Sequence, residues 1–403
     1  MNVKKGVPHM PRALWMIIIG MIINVTGSSF LWPLNAIYIH GHLEKSLSVA
    51  GIVLMVNAGA TVIGNLVGGV LFDKIGGYKS ILTGILISLV ALIGLTFFHG
   101  WPHYVIFLTI IGLGSGMVFP AMFAMAGAVW PEGGRKSFNA VYIAQNLGVA
   151  IGSALGGFVA SYSFDYIFMA NTFMYFLFFL VAVYGYRNIK AEKANQPSLL
   201  EQSKMVKNRS KMTALLILCI GYALCWVAYV QWQATISSYT QDIGITLKQY
   251  SLLWTVNGGL IVLGQPLLSL VITFIAKSLK KQIIIGILIF ICSFLIVSTA
   301  NSFNGFLVAM IILTVGEMFV WPAVPTIANN LAPKGREGFY QGIVNSTATG
   351  GRMIGPVLGG ILVDLWGMSM LFTILAILLT VSIFTTLIYD KQVKEKKHVV
   401  VSA

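Results

Sequence analysis

Long apolar runs without charged residues constrain most strongly what this chain can fold into. They recur about a dozen times, and each has the ~20 residues that a helix needs to cross a bilayer. Only 9% of the 403 residues are charged, whereas soluble domains average about 25%. This excludes a soluble enzyme and a disordered chain, and the continuous runs exclude the short alternating segments of a transmembrane barrel. The sequence predicts an all-α membrane protein.

The apolar runs predict twelve transmembrane helices, six on each side of a polar, basic stretch. We expect an N-terminal six-helix bundle over 1–187, a cytoplasmic linker over 188–211, a C-terminal six-helix bundle over 212–390 and a cytoplasmic tail over 391–403. The predicted helices span about 13–39, 47–72, 79–98, 103–128, 137–162, 167–187, 212–239, 248–275, 282–300, 304–329, 338–364 and 368–389.

The basic residues indicate how the chain is oriented. The formal net charge is +14, from 26 Lys and Arg against 12 Asp and Glu. When both termini are placed in the cytoplasm, nearly all basic residues fall in cytoplasmic segments, as the positive-inside rule requires. The same charge would suggest a nucleic-acid partner in a soluble protein, but here membrane orientation accounts for it. We expect contact with membrane lipids and no nucleic acid.

The chain repeats itself at about half its length. The matching pairs are Asn57-x-Gly59 with Asn257-x-Gly259, Pro120-Ala121 with Pro322-Ala323, and Gly156-Gly157 with Gly359-Gly360. Six helices is an even number, so the two halves have the same orientation in the membrane. Such a parallel repeat is typical of carriers that bind their substrate between two pseudo-symmetric bundles.

The loop after the second predicted helix has a dense motif of glycines and charges. Residues 69–79 read GVLFDKIGGYK, with Gly69, Asp73, Lys74, Gly76 and Lys79 at the motif positions. This resembles motif A of the major facilitator superfamily. The resemblance implies a twelve-helix fold in which the glycines permit close helix packing and Asp73 caps a helix end as a conformational latch. A plain helix cap is the alternative role.

A second motif points to a subfamily. Gly152 and Gly156 on the fifth predicted helix, and Gly355, Pro356 and Gly359 on the eleventh, resemble motif C of the drug/proton antiporters. The segments TVGEMFVWP at 314–322 and AQNL at 144–147 are similar to LmrP-like multidrug transporters. The resemblance implies that the membrane glutamate, Glu317, handles protons. It also implies a bacterial plasma membrane.

Two charged residues, Glu317 and Arg352, lie deep in predicted spans. A charge in the bilayer is costly, so it marks function or a paired partner. Both are near mid-depth of their helices, which allows them to pair. Arg352 then tunes a proton site at Glu317, or the two form a permanent ion pair. With Asp73 they are the candidate proton-coupling residues.

Polar and aromatic residues on the helices that line the cavity in this superfamily are the candidate substrate-binding residues. Aromatic faces with scattered amides suit large, planar, amphipathic or cationic ligands. Aromatic residues near span ends also form interfacial belts, which is the structural alternative. The candidates are Asn24, Trp32, Asn35, Tyr142, Gln145, Asn146, Trp226, Tyr229, Trp232, Gln233, Trp254, Asn257 and Trp321.

We therefore expect a monomeric carrier that exports lipophilic, cationic small molecules in exchange for protons. Two alternatives remain: a proton-coupled carrier of a specific metabolite, and a non-transporting membrane receptor. The cysteines have no metal-like spacing, and no phosphate-binding P-loop occurs, so we expect no metal, no cofactor and no ATP-driven step. We expect no enzyme activity.

Overall fold

The computed structural model describes residues 10–31, 35, 38–45, 47–160, 163–189, 209–276 and 278–391. Throughout these residues the regular structure is helical, and they contain no strand. The α-helices are α1 (Arg12–Leu31), α2 (Leu47–Ile75), α3 (Gly77–Phe97), α4 (His103–Val129), α5 (Arg135–Ala160), α6 (Phe164–Val181), α7 (Arg209–Tyr229), α8 (Thr235–Asp242), α9 (Leu247–Ile275), α10 (Leu279–Thr299), α11 (Phe303–Val320), α12 (Ala323–Leu331) and α13 (Glu337–Ile388).

The described helices match the predicted membrane crossings. Ten helical segments are long and apolar enough to cross a membrane, and α9 has a shorter apolar stretch at Leu252–Gln265. One of the ten, α13, has 52 residues and holds the last two predicted crossings. It is interrupted at Gly367, where φ is 79° and ψ is 176°. A left-handed φ favours glycine, so the chain changes direction there. The all-α fold is therefore confirmed, and the described apolar helices are consistent with the predicted twelve crossings.

The crossing predicted as one helix over 304–329 is divided by Pro322 into α11 and α12. Proline has no N–H, so the carbonyl four residues earlier loses its helical donor. That carbonyl belongs to Met318, and the side-chain amide of Gln265 on α9 donates to it at 3.3 Å. The crossing predicted over 212–239 is also divided, into α7, a short 3-10 turn and α8.

Two compact units contain the described residues, and the first comprises Met1–Gln196 with Lys334–Asn345. In this unit α1 packs against α5 and α6, while α4 packs against α2 and α3. Its core is almost entirely aliphatic and aromatic, with fully buried side chains from α1, α3 and α4.

The second unit comprises Pro197–Pro333 with Ser346–Ala403. Here α11 packs against α9 and α10. Residues Lys334–Asn345, which include the start of α13, are grouped with the first unit. The predicted boundaries at 187, 211 and 390 stay a prediction, since most of the linker and the tail lies outside the described residues.

Glycines bring helix backbones together at equivalent places in the two units. In the first unit, a methyl group at Gly152 on α5 would lie 2.4 Å from the carbonyl oxygen of Thr26 on α1. In the second unit, a methyl group at Gly355 on α13 would lie 2.3 Å from the Val230 side chain, just after α7. Glycine is therefore required by packing in both motifs, which explains the repeat seen in the sequence.

Candidate substrate and proton site

The glutamate of α11 is buried and held by donors. The Glu317 side chain is only 2% exposed. Its Oε1 accepts a hydrogen bond from the amide of Asn257 on α9, and its Oε2 accepts one from the indole N–H of Trp321 at 3.1 Å. Asn257 also donates to the Thr314 hydroxyl at 2.9 Å. A carboxylate that is charged inside a membrane needs such donors.

Glu317 and Arg352 are connected through two stacked indoles, which we call the indole pair, Trp226 and Trp321. The two rings are 4.5 Å apart at an interplanar angle of 6°. On one side Trp321 donates to Glu317. On the other, the Arg352 guanidinium lies 4.8 Å from the Trp226 ring centroid, a cation–π distance.

Exposure changes steadily along this connection. Arg352 is exposed, Trp226 is half-buried, and Trp321 is 6% exposed. Glu317, at the far end, is almost inaccessible. The arrangement therefore links an accessible cation to a buried acid through aromatic rings. Similar depth in the sequence allowed a direct pair, whereas the contacts found here run through the indole pair.

Further aromatic rings surround the indole pair. Tyr222 and Tyr229 meet Trp321 nearly edge-on, each at 5.5 Å, and Phe290 lies at the same distance. Trp254 meets Tyr229 at 6.2 Å. Of these, Tyr222 and Phe290 were missed by the sequence reasoning. Tyr222 precedes Trp226 by four residues and so shares its helix face, a signal that could have found it.

The remaining candidates of the second unit lie apart from this cluster. Trp232 is fully buried in the 3-10 turn after α7, and its ring meets Phe306 edge-on at 6.5 Å. Its neighbour Gln233 is exposed. Trp232 is therefore a core side chain in this structure, which is neither the predicted binding role nor the interfacial belt that was its alternative.

Three of the six candidates of the first unit lie on α5. Tyr142 is 7% exposed, while Gln145 and Asn146 are half-buried. The Asn146 amide donates to the Tyr142 carbonyl at 2.9 Å. The three side chains lie within about one turn of α5, with the Tyr142 hydroxyl buried, and their role in substrate binding stays a prediction.

The other two asparagine candidates of this unit, Asn24 and Asn35, are deeply buried. The remaining candidate, Trp32, lies outside the described residues. Asn35 accepts a hydrogen bond from the Tyr104 hydroxyl at 2.8 Å, which gives it a structural partner. Asn24 on α1 is 0% exposed, and within the described part of the chain neither polar atom of its side chain has a hydrogen-bond partner. A buried amide in that condition is costly unless something else binds it.

The motif-A aspartate caps a helix. The two oxygens of Asp73 accept the backbone N–H groups of Gly338 and Phe339 at 2.8 and 2.9 Å, at the start of α13. A methyl group at Gly69 would lie 2.3 Å from the Gly338 carbonyl oxygen, so only glycine fits at this crossing. The carboxylate also complements the positive end of the helix dipole.

The other motif-A residues shape the turn. Gly76 has a left-handed φ of 86° and separates α2 from α3. Lys74 and Lys79 are exposed on either side of it. These two bases are therefore free to lie at the membrane surface, as the positive-inside pattern predicts.

The comparisons with known proteins agree with this architecture. The family model of the Major Facilitator Superfamily matches residues 17–272 and 233–401, so the chain belongs to that superfamily. It is similar to the MFS-type transporter YttB of Bacillus subtilis (strain 168), with 63% identity over 389 residues, 96% of this chain and 98% of that protein. It is therefore a multi-pass membrane transporter and not an enzyme.

More distant relatives share the fold. The quinolone resistance protein NorA of Staphylococcus aureus (strain N315) is 22% identical over 371 residues, 88% of this chain and 91% of that protein. The human organic anion transporter MFSD10 superposes with a TM-score of 0.77 at 14% identity, covering 94% of this chain and 100% of that one. FucP, in an outward conformation, gives 0.73 at 13% identity, covering 93% and 98%.

Proposed function

We propose that the protein is a secondary active transporter that exports lipophilic, cationic small molecules in exchange for protons by alternating access. The observation that carries this proposal is a carboxylate, Glu317, which among the described residues is the one acid that is buried, set against stacked indoles in a membrane-spanning segment. A carboxylate at this depth is costly unless it serves transport or pairing. One acid suits one cation or one proton at a time.

The aromatic surroundings of Glu317 support cationic substrates. The indole pair, together with Tyr222 and Tyr229, forms a π-rich and largely buried environment beside the acid. Such an environment attracts organic cations and planar rings. NorA, whose name describes quinolone resistance, is a distant relative, which supports drug export over uptake of a small polar solute.

In the transport cycle we assign Asp73 the role of a latch. Its carboxylate holds the first turn of α13 through two backbone N–H groups. We propose that this contact forms and breaks as access alternates. We further propose that the protein works as a monomer in the plasma membrane, with both termini in the cytoplasm and its basic loops against anionic lipids.

Proton-coupled transport of a specific metabolite is the second candidate. The observation that favours it is Arg352, an exposed guanidinium in a membrane-spanning helix, which suits a substrate carboxylate. A sugar phosphate fits less well, because a polyanion would meet the acid of Glu317 nearby.

The test uses the full-length protein in proteoliposomes with an imposed pH gradient and ethidium as the probe. We compare the unmodified protein with Glu317→Gln and with Glu132→Gln, a control that removes an exposed acid from the turn before α5. We expect gradient-driven ethidium transport in the unmodified protein and the control, and its loss in Glu317→Gln.

Two results would contradict the proposal. If the folded, unmodified protein moves no ethidium, a specific-metabolite carrier is favoured. If Glu317→Gln transports as well as the control, Glu317 is a structural residue, and proton coupling belongs to another acid such as Asp73.

A further inference from the structure

The internal repeat supplies a comparison for the residues around Glu317. On α5, a methyl group at Gly148 would lie 2.8 Å from Cβ of Val25 on α1. At the equivalent place on α13, a methyl group at Gly351 would lie 2.6 Å from Cβ of Trp226 on α7. The second half therefore keeps the glycine contact but has an indole where the first half has a valine.

The residue after each of these glycines also differs between the halves. Val149 follows Gly148, whereas Arg352 follows Gly351. The first half forms the same glycine contact with valines, Val25 and Val149, at these two positions, so the glycine contact itself does not require an indole or an arginine. At this repeated contact, Trp226 and Arg352 occur only in the second half.

Glu317 also follows a glycine whose equivalent in the first half is followed by a different residue. Gly114 on α4 and Gly316 on α11 each meet the backbone of a neighbouring helix, where an added methyl group would lie 2.8 and 2.9 Å from a carbonyl oxygen. Ser115 follows the first glycine, and Glu317 follows the second. At this repeated glycine contact, the acid therefore occurs only in the second half, and the contact itself does not require it.

Helical geometry places Arg352 on the side of α13 that is turned away from lipid. The large apolar side chains Ile354, Val357, Ile361 and Leu365 are 53, 60, 53 and 62% exposed, which marks the lipid-facing side of this membrane-spanning helix. At 3.6 residues per turn, Ile361 is two and a half turns after Arg352, and the other three also lie on the far side of the helix. An exposed arginine on the opposite side faces water or a ligand.

The guanidinium has donors to spare. Arginine carries five N–H donors in a planar fork that matches a carboxylate. Among the described residues, the side chain of Arg352 has one hydrogen bond, from Nη2 to the Thr349 hydroxyl at 3.3 Å, besides its stacking on Trp226. Stacking holds the fork in place and leaves most of its N–H groups available for an anion.

We infer that the transported compounds are amphoteric, with an acidic group that binds Arg352 and a basic group that is attracted to Glu317. This inference rests on the proposed export function and narrows its substrate class from cations to planar compounds that carry both charges. The two charges of the site are connected through the indole pair, so the matching ligand carries an acid and a base on one aromatic framework.

The test uses two dyes with the same ring system. Rhodamine 110 has a free carboxylate and a delocalised cation, and rhodamine 123 is its methyl ester, which keeps only the cation. We measure gradient-driven transport of both dyes by the full-length protein in proteoliposomes. We compare it with Arg352→Gln, with Arg352→Lys and with Lys136→Gln, a control that removes an exposed base at the start of α5.

We expect the unmodified protein and the control to prefer rhodamine 110 by about tenfold in kcat/KM, since a hydrogen-bonded charge pair is worth at least that factor. In Arg352→Gln the ratio of kcat/KM for the two dyes falls to about one, because the carboxylate of rhodamine 110 no longer has a charged partner. Arg352→Lys restores only part of the preference, because the ammonium lacks the planar fork.

Two further outcomes separate this inference from the proposed function. Equal transport of both dyes by the unmodified protein and by Arg352→Gln overturns the inference and leaves cation export intact. If neither dye is transported, the proposed export function fails. The inference is then tested by dye binding to the purified protein, which is measured by quenching of tryptophan fluorescence. Tighter binding of rhodamine 110 that depends on Arg352 supports an amphoteric site, whereas equal binding overturns it.

Discussion

Replacing Asp73 by Asn tests whether a carboxylate holds the start of α13. The N–H groups of Gly338 and Phe339 lie in the first turn of the helix, where no intrahelical acceptor exists, and the Asp73 oxygens accept both at 2.8 and 2.9 Å. Asparagine keeps one acceptor oxygen but turns its NH₂ group toward the other N–H. One charge-assisted hydrogen bond is lost and the favourable interaction with the helix dipole disappears, which together amount to ~2 kcal/mol.

Hydrogen–deuterium exchange measures this directly. A loss of ~2 kcal/mol corresponds to a roughly 30-fold change in an equilibrium constant. We expect the amides of the peptide containing Gly338 and Phe339 to exchange about that much faster in Asp73→Asn, because their exchange requires the contact to open. Glu132→Gln is the matched control, since it removes an exposed acid from the turn before α5.

Unchanged protection of these amides in Asp73→Asn would refute the reasoning. The carboxylate would then not hold the helix start, and its role as a latch would lose its physical basis. Faster exchange spread over the whole protein would instead show global destabilisation. The expected signature is therefore confined to the first turn of α13.

Two further predictions concern helix packing. Gly355→Val should lower the thermal unfolding midpoint by several degrees, because a methyl group at this position already lies 2.3 Å from the Val230 side chain. Gly360→Ala should change the midpoint little, because a methyl group there meets nothing within 4 Å. Equal effects of the two substitutions would contradict the packing argument. Gln265→Leu should destabilise the protein by ~1 kcal/mol in the same thermal assay, because it removes the amide that donates to the Met318 carbonyl next to the break at Pro322. A stability equal to that of the unmodified protein would show that this hydrogen bond does not stabilise the broken helix.

Much of the fold could be predicted from the sequence because the information is local. Each apolar run predicts its own crossing, and Gly367 lies between the last two predicted crossings, where the structure interrupts the helix. Pro322 nevertheless divided a crossing that hydropathy alone had predicted as continuous. Hydropathy counts apolar residues and carries no information on the missing N–H of a proline, which a partner such as Gln265 must compensate.

The candidate site could be predicted only in part. Glu317 and Arg352 stood out because charges are rare in membrane spans, and Trp226 and Trp321 because aromatic residues suit the proposed ligands. The same reasoning also proposed Trp232, which the structure buries against Phe306. Residue type alone does not separate a core aromatic from one that contacts a buried acid.

The sequence by itself determined the class of protein, the number of crossings, the half-length repeat and the identity of the membrane charges. Those properties depend on composition, hydropathy and spacing, which are read along the chain. Only the tertiary structure decided that Arg352 and Glu317 are connected through the indole pair, and that Asp73 caps α13. These contacts join side chains of different helices, so they exist only after the helices have packed at distances set by their glycines.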